Sequence, residues 1–374
     1  MCKTYSITRH AALLLMLFAT LSSVAQQSKQ GSLWEEFERK HDQVAAARID
    51  SVFSDAYLNR NFNGVVLVSR GGKQIYHKAF GYADVNHNRR NDTNTVFELA
   101  SVSKQFTAVA ILMLYEQDKL ELDDSLQRFF PNFPYRGITL HHLLCHRSGL
   151  PEYMDFADNY WRNAKQLMTN QDVLEMLTQF MPHIDFLPDQ QFAYCNTNYA
   201  LLALVVEKVS GMRFSEFLNR NIFQPLGMYH TYLFPDNPRN ALAAVGHDKA
   251  GKRRDIHYQC GIVGDKGVMT TASDMLKWDR ALYNCTLLSE ATIAMAMTPK
   301  FAWLDGTRSY GYGWRLTKLP KKPVHLVFHG GLWCGFNNNF VRQIEDKSTY
   351  IVLSNYANGS HYGKTMEILN FINW

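Results

Sequence analysis

Phe97-Glu-Leu-Ala-Ser-Val-Ser-Lys-Gln-Phe106 is the stretch whose reading decides the fold. It runs into a helical pattern in which Phe106, Val109, Ala110, Leu112, Met113 and Leu114 are too apolar for a surface helix, so a buried central helix is expected from Ser101 to about Leu120. Ser101 and Lys104 stand one turn apart at its start, where their side chains should meet. An amine at that place perturbs a serine hydroxyl, and the helix N-terminus offers backbone N–H groups and positive potential to an oxyanion. An N-cap serine followed by a solvated lysine would share the spacing. Two features favour a nucleophile: this is the only S-x-x-K in the chain, and a solvated lysine is awkward at the head of a buried helix.

Outward from this helix the pattern changes in both directions. Upstream, a charged helical lead-in from Leu33 to about Arg60 precedes Val65–Ser69 and Gln74–Phe80, which flank Gly71-Gly72 and read as a β-hairpin. Downstream, helices are expected at Thr139–Cys145, Gln171–Phe180, Asn198–Ser210 and Ala272–Tyr283. Strand character returns with Gly311–Leu316, Val324–Phe328, Phe336–Arg342 and Thr349–Leu353, and a helix from about Tyr362 follows. The expected fold class is α+β: one antiparallel sheet built from both chain ends, with flanking helices and an inserted, mainly helical subdomain. The division expected is sheet at about 30–100 and 305–374, and helices at about 101–304.

Two further polar groups interrupt the apolar pattern. Tyr194-Cys195-Asn196 precedes an apolar helix, and a phenol near a lysine can take a proton and return it to a leaving group. Tyr57-Leu58-Asn59 and Tyr356-Ala357-Asn358 also match Y-x-N. His329-Gly330-Gly331 closes the strand ending at Phe328, where bare glycines admit a close approach to the backbone; a hairpin turn with a bystander histidine is the plainer reading.

Taken in order, Ser101-x-x-Lys104, Tyr194-x-Asn196 and His329-Gly330-Gly331 resemble the serine hydrolases that include class C β-lactamases, D-alanyl-D-alanine carboxypeptidases and related esterases. The likeness extends to Ile138–Pro151, Asn198–Gly211 and Tyr310–Trp314. It implies that Ser101 attacks an acyl carbon, that Lys104 and Tyr194 manage its proton, and that Asn196 hydrogen-bonds the substrate. The backbone N–H groups of Ser101 and Leu332 would form the oxyanion hole, beside Gly330 and Gly331. His329 stands where class C β-lactamases usually carry lysine, which points to the peptidases and esterases of the family. A β-lactamase, or a non-catalytic penicillin sensor of the same fold, is the alternative. Pro188-Asp189 replaces the Pro-Gly frequent in relatives, in a turn that aspartate tolerates. Lys266 replaces a glycine on the acyl side of the cleft. There it would either favour acyl groups bearing a carboxylate or point to solvent or pair with Asp265.

Composition sets the remaining bounds. With 46% hydrophobic and 20% charged residues, 22 Gly and 11 Pro among 374, the chain has the composition of a globular protein rather than a disordered or collagenous one. A net charge of +5, with basic residues no more clustered than Arg89-Arg90, Arg253-Arg254 and Lys321-Lys322, makes nucleic acid an unpromising partner. Lys3 and Arg9 precede the apolar run Ala11–Leu21 and then Ser23-Val24-Ala25. This pattern is a secretory leader, 1–25, cut after Ala25 and too short to span a bilayer, and it leaves an exported hydrolase domain at 26–374. Cys145, Cys195, Cys260, Cys285 and Cys334 then remain, with no spacing that announces a disulfide framework. His142 and His146 share a helix face beside His141 and Cys145, but no H-E-x-x-H accompanies them. Neither a metal nor another cofactor is expected.

Overall fold

The computed structural model describes residues 35–36, 38–59, 62–163, 165–302, 304, 306–318, 325–357 and 361–372. The expected leader, residues 1–25, lies outside them. The main sheet has seven strands. Its order is Lys73–Phe80, Gly64–Arg70, Ser348–Ser354, Phe336–Gln343, His325–Trp333, Arg315–Lys318 and Arg308–Tyr310, every pairing being antiparallel. The strand Gly64–Arg70 joins the two chain ends, with Val66 opposite Val352 and Val68 opposite Tyr350.

Alternation along that strand builds a core on each face of the sheet. Val66 and Val68 pack with Ala45, Ile49 and Phe53 from the helical stretch 38–58 and with Ile368 and Leu369 of the helix His361–Ile372. Val65 and Leu67 face the opposite way, into the core shared with the helical part. At the centre of that core the helix Lys104–Glu116 buries ten of its thirteen residues, and Phe106 stacks 4.3 Å from Trp278. It lies beside the helix Asn196–Ser210.

Three expectations are corrected. The helix read from Ser101 to Leu120 ends at Glu116 and begins at Lys104, because Ser101 sits in a 3-10 turn, Ala100–Ser103, that follows the short strand Phe97–Glu98. Ala100 takes a left-handed φ of +52° there, turning strand sharply into helix. The segment Gly311–Leu316 is not one strand: Gly311–Trp314 form a turn between Arg308–Tyr310 and Arg315–Lys318, and only Arg315 and Leu316 are in a strand. The Gly311 amide donates to the Trp314 carbonyl, and a Cβ on Gly313 would stand 3.0 Å from the Lys104 carbonyl oxygen. His329-Gly330-Gly331 does not close its strand, which continues to Trp333 before turning at Cys334-Gly335. Val324, the expected first residue of that strand, lies outside the described residues. A second sheet also crosses the helical part: Val268–Thr270 pairs with Phe97–Glu98 and with Tyr232–Leu233.

Candidate active site

Backbone packing delivers Ser101 to the sheet. The Leu99 amide donates to the Val268 carbonyl at 2.8 Å, and Ser103 Oγ accepts from the Val268 amide at 3.1 Å, so the turn is fastened on one side. Ser103, the neighbouring hydroxyl, is thereby buried and committed. Gly331 closes the other side. A Cβ there would lie 2.1 Å from the Leu99 carbonyl oxygen and 3.1 Å from the Ser101 nitrogen, so only glycine lets the strand lie against the turn. At Gly330 the nearest atom would be Asn339 Oδ1, 3.2 Å away. The close approach therefore belongs to the protein's own backbone, and it brings the Ser101 amide beside the strand segment that ends in Leu332. Pairing of this strand with Arg315–Lys318 stops at Phe328, and Leu332 is exposed.

Lys104 is fully buried and its ammonium has three acceptors: Asn196 Oδ1 at 2.7 Å, the Asp265 carbonyl at 2.9 Å and Ser101 Oγ at 3.3 Å. Ser101 remains partly exposed. Asn196 is oriented from behind by Glu152, whose Oε2 accepts from both the Asn196 amide (2.7 Å) and its Nδ2 (2.9 Å). Burial raises the Glu152 pKa above the ordinary carboxylate range.

Of the three Y-x-N matches, Tyr194 is the one that meets this lysine. Its ring centroid lies 4.9 Å from Lys104 Nζ and 4.9 Å from Arg315 Cζ. Tyr57 packs against Phe80 and Tyr356 against His247. The Tyr194 hydroxyl is shielded from solvent and has no hydrogen-bond partner among the described residues. His146, weighed in the sequence only as a metal ligand, holds this tyrosine. Its ring stacks 4.3 Å from the Tyr194 ring, its carbonyl accepts from the Ala193 amide, and its Nδ1 accepts from the Cys195 amide at 3.1 Å. Burial, with Lys104 nearby, keeps His146 neutral, well below the usual imidazole range. The other members of the suspected metal cluster have local duties: His141 bonds Tyr312, His142 completes a capping box with Thr139, and Cys145 Sγ donates to the His141 carbonyl. Asp189 takes a φ of +70° and accepts from Arg147 Nε at 2.6 Å, so the turn before Tyr194 forms without glycine.

His329 is fully buried. Its Nδ1 is 2.6 Å from the Gly330 carbonyl oxygen, which can only accept, so Nδ1 carries the proton and Nε2 accepts from the Tyr310 hydroxyl at 3.1 Å. Burial first, then Arg315 and Lys104, hold this imidazole neutral and well below its usual range. Lys266 turns inward rather than to solvent. Only 3% exposed, it pairs with Asp265 Oδ2 at 3.2 Å, bonds the Tyr153 hydroxyl, and lies 4.8 Å from the Trp333 ring centroid. Asp265 thus presents its carboxylate to Lys266 and its carbonyl to Lys104. Glu152, His146, Tyr310 and Arg315 were missed in the sequence because their roles arise from contacts between distant segments.

The arrangement is a hydroxyl in contact with an amine and a phenol ring packed against that amine, which suits acyl transfer. Residues 42–371 match the family model described as Beta-lactamase. The chain belongs to the Beta-lactamase family. Among curated members of the family, it is 36% identical to penicillin-binding protein 4* of Bacillus subtilis (strain 168), the match covering 87% of this chain and 73% of that one. It is 28% identical to a D-aminopeptidase of Cereibacter sphaeroides, over 81% of this chain and 58% of the relative. The solved penicillin-binding protein from Bacillus halodurans superposes with a TM-score of 0.76 at 29% identity, covering 86% of this chain and 98% of that one. The fold is therefore that of the β-lactamases and penicillin-binding proteins, and family membership supports a hydrolase.

Proposed function

We propose that this chain is an exported serine hydrolase that works through an acyl-serine intermediate on a D-amino-acid peptide or a small ester. The contact between Lys104 Nζ and Ser101 Oγ carries the reading. Lys104 Nζ is also held by Asn196 and the Asp265 carbonyl, so the immediate acceptor of the serine proton is better sought at Tyr194, whose hydroxyl has no hydrogen-bond partner among the described residues. Lys104 and Arg315 flank its ring and are placed to stabilise transient negative charge on it. Tyr194 then returns the proton to the leaving group, and the reverse sequence with water releases the product. The amides of Ser101 and Leu332 receive the oxyanion, and the Asn196 amide group lies beside the path of the substrate's own amide or ester.

A neutral His329 supports amides and esters over β-lactams, since it brings no cation to the third-motif position. Arg315, partly exposed, is the nearby charge available to a substrate carboxylate. Export rests on the leader read at residues 1–25, ahead of one hydrolase domain at 26–374. No helix among the described residues is long and apolar enough to cross a membrane.

The test combines labelling with turnover. A fluorophosphonate should add to the intact protein and not to Ser101→Ala, and a D-alanyl-D-alanine peptide or a short-chain p-nitrophenyl ester should be turned over only by the former. Equal labelling of the variant would remove Ser101 as nucleophile. Labelling without turnover of any peptide, ester or lactam would favour a penicillin sensor.

A further inference from the structure

Cys260 lies in the 3-10 turn Tyr258–Gly261, and Cys334 opens the two-residue turn between the strands His325–Trp333 and Phe336–Gln343. Although 74 positions apart in the chain, their Sγ atoms are 3.4 Å from each other. A disulfide needs ~2.05 Å, so closure asks for a shift of roughly 1.4 Å shared by two side chains. The other described cysteines have no such neighbour: Cys145 Sγ faces the His141 carbonyl, Cys195 Sγ faces the Leu150 carbonyl, and Cys285 follows the helix Ala272–Tyr283.

The surroundings favour reaction at this pair and not elsewhere. Cys334 is partly exposed, and both sulfurs line a cleft of about 130 Å³ whose other walls include Glu98, Tyr232 and Trp333, which gives an oxidant a way in. The two thiols share a hydrogen bond, and with the Lys266 ammonium nearby the Cys260 thiol is drawn below its ordinary pKa, towards the reactive thiolate, while the Cys334 thiol is raised. Burial acts oppositely on Cys145, pushed up to about 12, and raises Cys195 further.

We propose that Cys260 and Cys334 form a redox modification site, closing to a disulfide that fastens the hairpin bearing His329, Gly330, Gly331 and Leu332 to the loop that leads into Asp265 and Lys266. The oxidant is a disulfide of a small or protein thiol. The Cys260 thiolate attacks one of its sulfurs and expels one thiolate, leaving a mixed disulfide on Cys260. Cys334, its proton passing to the departed thiolate, then attacks Cys260 Sγ and expels the second. Two protein thiols are oxidised, the external disulfide is reduced to two thiols, and the protons pass to those leaving thiolates. The fastened turn is already seated tightly, since a Cβ on Gly335 would stand 2.3 Å from the His247 nitrogen.

The experiment reads no catalytic activity, so its outcome is separate from that of the functional reading. The purified full chain is equilibrated with mixtures of oxidised and reduced glutathione, trapped with iodoacetamide and digested. The expected result is a peptide pair joined through Cys260 and Cys334 that disappears on reduction, an intact mass lower by two hydrogens, and a Tm roughly 5 °C above that of the reduced protein. Both cysteines alkylated at the most oxidising ratio, in protein that still melts cooperatively, would overturn the proposal. So would a glutathionyl group that stays on Cys260, or a Cys285–Cys334 link. An oxidised form with the Tm of the Cys260→Ser, Cys334→Ser double variant would overturn the fastening.

Discussion

The Lys104 ammonium lies closer to Asn196 Oδ1, at 2.7 Å, than to Ser101 Oγ, at 3.3 Å. Lys104 is therefore anchored by an amide that Glu152 holds in place, and it approaches the hydroxyl from a fixed direction. On the mechanism proposed above, this positioned ammonium supplies charge and the Tyr194 phenol moves the proton.

Tyr194→Phe separates these two roles. The hydroxyl has no hydrogen-bond partner among the described residues, so its loss should leave the Tm unchanged or slightly raised, because a buried polar group without a hydrogen bond is a cost to the folded state. Turnover should fall by ~10²–10⁴-fold in kcat with a smaller change in KM. Steady-state kinetics on a p-nitrophenyl ester check this, and a change in kcat below about threefold would return the base role to Lys104.

Gly331→Ala and Gly330→Ala should behave differently although the residues are adjacent. The new methyl at 331 would meet the Leu99 carbonyl oxygen at 2.1 Å and force the strand away from Ser101, whereas at 330 it would press only on the Asn339 side chain. We expect Gly331→Ala to cost about 1–3 kcal/mol and nearly all acyl transfer, with Gly330→Ala close to wild type in stability. Urea unfolding of both variants, alongside esterase assays, decides it; equal losses would mean that the strand does not abut the serine turn.

Glu98 should make stability depend on pH. It is buried, accepting from the Gly267 amide at 2.8 Å, and burial pushes its pKa up to about 8 from an ordinary 4.5. The folded state holds this proton more tightly than the unfolded one. Its stabilising effect is thus complete below about pH 4.5 and is lost as pH rises towards 8, with a slope approaching ~1.4 kcal/mol per pH unit. Glu98→Gln keeps the acceptor and removes the titration, so the variant should gain on the wild type as pH is raised from 5 to 8. Tm values of the two proteins that run parallel across that range would contradict this.

Lys266→Met should act on stability more than on selectivity. Its ammonium is spent on Asp265 and Tyr153, and removing it leaves a buried carboxylate short of its counter-charge, typically a loss of about 3–5 kcal/mol. The kcat/KM values for an acidic and a neutral acyl ester should change by the same factor. A selective loss for the acidic ester, reduced at high salt, would instead place the cation in the acyl pocket.

Local patterns in the sequence carried the hairpin around Gly71-Gly72, the buried helix after Lys104 and the helix Ala272–Tyr283, because each follows from periodicity and turn residues within one short window. The convergence of Ser101, Lys104, Tyr194 and His329 was legible only because three motifs occur in a recognisable order. What escaped were features set by contacts across the chain. The turn at Gly311–Trp314 is imposed by packing on the central helix, and His146 acquires its task only once Tyr194 is folded over it. The Cys260–Cys334 pair is likewise invisible at a spacing of 74 residues. Lys266 shows the same limit: both of its readings fitted the sequence, and the buried Asp265 carboxylate beside it distinguishes them.

Closing the sheet between the strands Gly64–Arg70 and Ser348–Ser354 has a consequence for synthesis. A ribosome makes Ser101 early and the strand His325–Trp333 that must lie against it late, with roughly tens of seconds of translation between them. Throughout that interval the hairpin Gly64–Phe80 keeps a bare edge, and the serine turn lacks the Gly331 backbone that completes its surroundings. On the proposed mechanism, the nascent chain would lack a complete acyl-transfer site until those strands dock.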